Sequence, residues 1–235
     1  MDYYTTLEIL YRLNSQDIIN FNEVGTIFGN ILLTIKNILA IPETTDDLLS
    51  RLTNLTNFNC NENKSLTDES LRKLTNLIIL GCGKNNNFTD ESVSKLTKLT
   101  NLNCGWNENF TDKSLSKLVN LTYLDCGLSK FTDESLSKLI NLKYLDCRFC
   151  ENFTDASLSK LVNLTYLDCG SCKKFTDASL SKLTNLTHLK CANNQNFTDA
   201  SLSKLTNLTL LQRGSNTNFS DACLNKLRKY GCEIS

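Results

Sequence analysis

A unit of 21 or 22 residues recurs along most of this 235-residue chain, and it restricts the fold more than any other sequence feature. Each copy opens with a basic residue followed by Leu, and the remnant of a further copy follows at Lys226. The eight copies begin at Arg51, Lys73, Lys95, Lys117, Lys138, Lys160, Lys182 and Lys204. A short fixed period of this kind indicates a solenoid, in which each copy packs only against its neighbours.

The first half of each copy has the alternation of a short strand. In the second copy, Leu80 and Cys82 stand two residues apart and are expected to face the core, while Ile79 and Gly81 face the other way. One strand cannot bury its apolar side alone, so neighbouring strands are expected to stack into a continuous parallel sheet.

The second half of each copy has the pattern of a short helix. Thr89 or Asp90 can accept a hydrogen bond from the first free amides of a helix whose Val93 and Leu96 point inward, with Phe88 entering just ahead of it. The repeat therefore predicts an α/β solenoid, with a parallel sheet on the concave side and short helices on the convex side.

Two motifs carry a resemblance to a known family. From Leu77 the second copy reads Leu-x-x-Leu-x-Cys-x-x-Asn, and from Cys150 the chain reads Cys-Glu-Asn-Phe-Thr-Asp-Ala-Ser-Leu. The pattern resembles the leucine-rich repeat, and specifically its cysteine-containing subtype, although that subtype usually has Ile where this chain has Phe. The resemblance covers about residues 51–226 and implies eight parallel strands, one per copy, in a repeat domain at residues 51–235.

Two Cys-x-x-Cys pairs, Cys147 with Cys150 and Cys169 with Cys172, have a spacing that fits a zinc site. The first Cys of each pair, however, belongs to a column of seven in the inward position, where Cys acts as a small apolar residue. The second Cys falls in a column otherwise held mainly by Asn. We therefore expect structural cysteines, no metal and no cofactor. The seven inward cysteines are Cys60, Cys82, Cys104, Cys126, Cys147, Cys169 and Cys191.

Variation among the copies predicts a binding face, because the outward strand columns change while the core columns barely do. In copies four to six, Tyr and Asp occupy two outward columns, and strands about 4.8 Å apart would align them in parallel rows. Such a face favours binding of a protein or peptide, basic in part. Recent duplication of these copies would also explain the rows. The candidate residues are Tyr123, Tyr144, Tyr166, His188, Asp125, Asp146, Asp168, Trp106, Arg148 and Phe149.

Composition disfavours several other functions. The chain has 25 basic and 25 acidic residues, so no excess positive field attracts nucleic acid in general. The opening residues do not resemble a signal peptide, and Asn30 and Lys36 interrupt the longest apolar stretch, so we expect a cytoplasmic protein with reduced thiols and no membrane span. His188 is the only histidine, and an open sheet is not expected to raise the pKa of one Asp selectively, so no enzyme is expected.

Residues 1–50 lack the repeat and are expected to form a helical region that caps the solenoid. A second interpretation rests on Leu13, Asp17, Val24 and Phe28, whose spacing resembles the core of an F-box without its opening Leu-Pro-x-Glu. That resemblance implies a substrate-recognition adaptor of a cullin ubiquitin ligase that binds a Skp-type partner. The residues expected to contact this partner are Leu10, Leu13 and Ile18.

The two interpretations of residues 1–50 predict different co-purification results. If the region is an F-box, the full chain should recover a Skp-type adaptor from a eukaryotic lysate, and removal of residues 1–45 should abolish that recovery. If the region only caps the solenoid, neither protein should recover the adaptor. Immunoblotting of the two eluates makes the distinction, and recovery of no adaptor by the full chain excludes the ligase role.

Overall fold

The computed structural model describes residues 37–39 and 44–235 of the chain. Within these residues, ten strands form one sheet in which every strand pairs in parallel with the next along the chain. The prediction of a parallel solenoid is confirmed, and two additional strands flank the eight that the copies supply. The strands are β1 (Asn37–Leu39), β2 (Asn57–Asn59), β3 (Ile79–Gly81), β4 (Asn101–Asn103), β5 (Tyr123–Asp125), β6 (Tyr144–Asp146), β7 (Tyr166–Asp168), β8 (His188–Lys190), β9 (Leu210–Gln212) and β10 (Glu233–Ile234).

The first strand differs from the helical prediction for residues 1–50. Strand β1 pairs with β2 in the register Asn37 to Asn57, so its backbone satisfies groups on β2 that would otherwise be left at the edge of the sheet. That pairing outweighs local helical spacing. The F-box-like residues, including Leu10, Leu13 and Ile18, lie outside the described residues.

Nine helices lie opposite the sheet in the described part of the chain, and most span a single turn. In the second copy, Thr89 caps the helix by accepting a hydrogen bond from the Glu91 amide, whereas Asp90 is its first residue. None of these helices is long and apolar enough to cross a membrane. The helices are α1 (Asp46–Arg51), α2 (Asp68–Leu71), α3 (Asp90–Val93), α4 (Asp112–Leu115), α5 (Asp133–Leu136), α6 (Asp155–Leu158), α7 (Asp177–Leu180), α8 (Asp199–Leu202) and α9 (Asp221–Lys229).

The core lies between the sheet and the helices and consists of stacked columns of equivalent residues. Leu80, Leu102 and Leu124 are at most 1% exposed, as the strand alternation predicted. The residue just before each N-cap, Leu66 in the first copy and Phe in the others, such as Phe88, is also buried. Each such side chain contributes about 1.5 to 3 kcal/mol by leaving water, so the stacked columns supply the main stabilisation of the solenoid.

A second set of contacts joins neighbouring copies on the helical side. Both carboxylate oxygens of Asp155 accept hydrogen bonds from the next copy: one from the Thr176 amide at 2.9 Å and from the Ser179 hydroxyl, the other from the Thr176 hydroxyl. At the other junctions between neighbouring copies, and at the one before the first copy, the equivalent Asp accepts hydrogen bonds from the amide and the hydroxyl of the following Thr or Ser. The Asp residues in this column are Asp46, Asp68, Asp90, Asp112, Asp133, Asp155, Asp177 and Asp199.

Asparagine side chains join the copies at the bends between strand and helix. Asn185 Nδ2 donates to the Val162 carbonyl at 2.9 Å, and Asn216 Nδ2 donates to the Asn194 carbonyl at 2.7 Å. In these bonds an Asn amide reaches the backbone of the preceding copy, which satisfies carbonyl groups that neither sheet nor helix can use. The high Asn content of the chain, 30 residues by count, therefore has a structural role.

The Asp column predicts a position-dependent loss of stability. Asp155→Ala should lower the free energy of unfolding by about 1 to 3 kcal/mol, because it removes charge-assisted hydrogen bonds from the next copy. Asp221→Ala is the matched control, since Asp221 also begins a helix, α9, but none of the hydrogen bonds to the next Thr or Ser that define the Asp column involves it. That control should cost about 0.5 kcal/mol from the helix dipole alone. Urea unfolding of both variants tests this, and equal losses would contradict it.

Candidate recognition site on the concave sheet

The three tyrosines form a continuous stack on the concave sheet. Ring centroids of Tyr123 and Tyr144 are 4.1 Å apart with planes inclined by 11°, and those of Tyr144 and Tyr166 are also 4.1 Å apart, inclined by 10°. The stack follows from the parallel register, which pairs these residues directly across β5, β6 and β7. His188 extends the row at 6.0 Å from Tyr166, and Lys190 Nζ lies 5.6 Å from the centre of the Tyr166 ring.

Partial burial changes the acidity of these rings. Burial, followed by the hydroxyl of the neighbouring ring, raises the pKa of Tyr123 and of Tyr144. The phenols therefore stay protonated at neutral pH and present a half-buried apolar surface with hydroxyl groups along one edge. That surface suits contacts with apolar side chains that also carry a hydrogen-bonding group.

The neighbouring Asp row is less exposed than the sequence suggested. Asp146 and Asp168 are only 4% and 6% exposed, and both pair with Arg148 of the same chain. Arg148 Nη2 lies 2.8 Å from Asp146 Oδ2, and Arg148 Nε lies 3.6 Å from Asp168 Oδ2. Three like carboxylates on adjacent strands would repel one another, but Arg148 of the same chain already neutralises part of this repulsion.

Two carboxylates of the row also titrate differently from the prediction. Burial, and then the charge of Asp146, raises the pKa of Asp125; burial is likewise the main cause of the raised pKa of Asp168. The sequence analysis expected nothing on the open sheet to desolvate one Asp and raise its pKa selectively, whereas packing between neighbouring strands removes enough water to raise the pKa of Asp125 and Asp168. Keeping these carboxylates charged costs stability unless a cation lies nearby.

An apolar ledge, defined as Trp106, Leu128 and Phe149, lies just beyond the strands of copies three to five. All three residues have left-handed backbone, with φ values of 64°, 60° and 60°. Strand-type hydrogen bonds continue through this position, as in the bond from the Trp106 amide to the Gly127 carbonyl at 2.9 Å. Large side chains rarely adopt this conformation. The same position has positive φ in all eight copies, from Glu62 to Gly214, so the left-handed backbone belongs to the repeat, and copies three to five differ in the large apolar side chain that they hold there.

Trp106 and Phe149 of the ledge border a groove of about 230 Å³, called here the strand-exit groove. Three glycines, Gly83, Gly105 and Gly127, line it and leave room that side chains would fill. A Cβ atom on Gly105 would lie 3.1 Å from Asp125 Oδ1, and one on Gly83 would lie 3.0 Å from Asn103 Oδ1. The groove therefore lies between exposed aromatic rings on one side and amide and carboxylate groups on the other.

The sequence alone does not reveal the groove or the pairing of Arg148, although one signal was present. Arg148 is the only charged residue in its column, which in most other copies holds Gly. The sequence analysis grouped Arg148, Trp106 and Phe149 with the candidate residues, and the structure places these three around the groove. The tyrosines do not line the groove; they are the first residues of β5, β6 and β7.

The Cys-x-x-Cys pairs take part in packing between copies. Cys172 Sγ donates to the Cys147 carbonyl of the preceding copy at 2.9 Å. Asn194, which holds the same position one copy later, donates its side-chain amide to the Cys172 carbonyl at 3.0 Å. Cys150 makes the corresponding bond to the Cys126 carbonyl. Among residues 44–235, no cluster of three or more His, Cys, Asp or Glu side chains is arranged to hold a metal ion.

Removal of the central cation tests the charge arrangement of the Asp row. Arg148→Met should lower the free energy of unfolding at neutral pH by about 1 to 3 kcal/mol, less than for a fully buried pair because the Arg148 side chain is 52% exposed. Without Arg148 the pKa of Asp168 rises further, so protonation favours the folded state and the loss should shrink as pH falls toward 4.5. Lys143→Met, which removes one exposed cation just before the same strand, β6, is the control. Urea unfolding at neutral pH and near pH 4.5 measures the loss for both variants. A loss that does not change with pH would contradict the pairing of Arg148 with the Asp row.

Comparison with solved structures identifies the fold. No protein-family model and no curated protein matches this sequence. An internalin from Listeria monocytogenes matches 88% of this chain and 68% of its own length, at 22% identity and a TM-score of 0.66. A toll-like receptor, TLR13, in complex with single-stranded RNA matches 88% of this chain at 20% identity and a TM-score of 0.65, but this chain spans only a third of it.

A third structure, of a complex of Rad7 and Elc1 in yeast, matches 95% of this chain and 71% of the other, at 18% identity and a TM-score of 0.63. Identities this low establish the fold alone. Together with the ten parallel strands and the repeated Leu columns, they show that this chain has the leucine-rich repeat fold.

Proposed function

We propose that the concave sheet of copies three to six is a recognition surface that binds a segment of a protein or peptide, without catalysis. The observation that carries this proposal is the continuous tyrosine stack beside the exposed apolar ledge, on a sheet whose other side is the core. Aromatic side chains concentrated at one exposed site are typical of residues that dominate binding energy. An origin of copies four to six by duplication does not conflict with this use, since duplication also produces the stack.

The surface is organised before a partner binds. The tyrosines already contact one another, and the strand ladder fixes their spacing, so little side-chain entropy remains to be lost on binding. Tyr has few rotatable bonds for its contact area, which reduces this cost further. Such a surface suits an extended segment that lies across several strands.

The charges near the stack favour a partly basic protein segment over nucleic acid. Three carboxylates, Asp125, Asp146 and Asp168, lie near two cations, Arg148 and Lys190, so the patch retains negative charge. Phosphate groups would be repelled by such a patch. The TLR13 complex shows that a related fold can be crystallised with RNA, so this argument depends on the residues of this chain and not on its fold.

The adaptor role remains the second proposal for the whole chain. It rests on the F-box-like spacing of Leu13, Asp17, Val24 and Phe28, and gains support from the likeness to Rad7, whose structure is of a complex with a second protein. All eleven cysteines have free thiols, which fits a reducing compartment such as the cytoplasm and is compatible with either proposal.

Substitution of the tyrosines tests the recognition surface. Peptides selected from a phage-displayed library against the immobilised full chain should bind Tyr144→Ala about tenfold or more weakly, since a central aromatic contact contributes about 1 to 3 kcal/mol. Tyr230→Ala is the matched control, because Tyr230 is 69% exposed and lies beyond the last repeat helix. Calorimetric titration measures both affinities. Unchanged binding by Tyr144→Ala, with circular dichroism like that of the parent, would place the recognition surface elsewhere.

A further inference from the structure

We propose that Asp125, Trp106 and Phe149 form a cation-binding corner in the strand-exit groove, which takes a Lys or Arg side chain of the partner. The inference rests on the proposed recognition function and specifies which part of the partner enters which part of the surface. It shifts the expected anchor of a basic partner from the whole Asp row to one carboxylate at its end.

Charge pairing around the groove identifies Asp125. Lys84 and Glu62, at the near end, neutralise each other, with Lys84 Nζ 2.6 Å from Glu62 Oε1. Arg148 lies within ion-pair distance of Asp146 and Asp168. Among the described residues that line the groove, Asp125 is the carboxylate left without an ion pair, and it accepts only a weak hydrogen bond from the Gly127 amide at 3.4 Å.

A carboxylate in this position attracts a cation more strongly than one in open water. Asp125 is partly buried between its neighbours, where the loss of hydration makes its charge costly and the local dielectric is lower. A cation placed beside it removes that cost. The same cation would contribute little at Asp146, which already has Arg148 at 2.8 Å.

The aromatic side chains supply the second part of the corner. Trp106 and Phe149 are 56% and 50% exposed, and both line the groove that Asp125 also lines. The face of an aromatic ring attracts an ammonium or guanidinium group, most strongly for Trp, and it also packs against the methylene stem of Lys or Arg. A long basic side chain therefore matches the groove better than a short polar one.

Glycines keep the corner accessible. A side chain at Gly105 would begin 3.1 Å from Asp125 Oδ1 and would cover the carboxylate from that side. Gly83 and Gly127 leave the groove open on either side of it. In copy five the same column holds Arg148, whose guanidinium covers the next carboxylate, so the opening ends there.

The test uses a pair of peptides and a pair of proteins. A basic peptide selected on the full chain from a random phage-displayed library is synthesised with its Lys or Arg intact and, separately, with each basic residue replaced by norleucine. Asp125→Asn should weaken binding of the parent peptide about tenfold or more, and should change binding of the matching norleucine peptide less than about twofold. Glu151→Gln, which removes one exposed negative charge outside the groove, is the control and should leave both affinities unchanged.

Trp106→Ala provides a second variant that leaves the Asp row intact. It should weaken binding of the basic peptide more than binding of the norleucine peptide, because the ring attracts the cation as well as the methylene stem. Selection of peptides without Lys or Arg, failure to select any peptide, or equal effects of Asp125→Asn on both peptides would each overturn the cation-binding corner. Peptides that lack basic residues but still depend on Tyr144 would leave the proposed recognition function standing.

Discussion

Hydrogen bonds between equivalent residues of adjacent copies are the interaction on which the rest of this structure depends. Strand pairing joins neighbouring copies on the sheet side, the Asp column joins them on the helical side, and Asn amides join them at the bends. Each set of bonds joins a residue to its counterpart, or to that counterpart's neighbour, one copy away. The copies are thus kept in a single register, and any side chain shared by consecutive copies becomes a continuous row.

That register explains why a copy can lose a residue without disturbing the sheet. The shortened copy runs from Lys117 to Lys138, yet β5 and β6 still pair Tyr123 with Tyr144. The missing residue falls in the bend, where Asp112 still reaches the Thr132 amide at 2.9 Å. The bend therefore absorbs the difference in length, and the tyrosine stack continues across it.

Much of the fold could be predicted from sequence because the eight copies show which positions of the unit stay constant and which vary. The inward positions of Leu80 and Cys82 and the outward positions of the tyrosines followed from alternation alone. The role of Asp90 did not, because its partner is in the next copy and the pattern shows only that Thr and Asp recur together. Strand β1 was missed for a similar reason, since its pairing with β2 depends on a neighbour and not on local spacing.

The sequence predicted which residues share the candidate face, but not how their charges pair. Sequence columns indicate which side chains share a face, whereas the charge state of a row depends on distances of a few ångströms. Asp125 and Asp146 occupy identical positions in their copies, yet only Asp146 has an Arg two residues later. A single difference between copies thus gave two chemically equivalent residues different ion pairing.

The left-handed position that holds the apolar ledge has an evolutionary consequence. The backbone there turns the side chain away from the core, and the residue type varies among the first seven copies, which hold Glu62, Lys84, Trp106, Leu128, Phe149, Ser171 and Asn193. Packing restricts only the eighth, where a Cβ atom on Gly214 would lie 2.8 Å from Ala192 Cβ. A change at this codon alters the exposed surface while the stability of the array is largely preserved. Unequal crossing-over between copies would move whole blocks of such residues along the face, so surface chemistry can be inherited in units of one repeat.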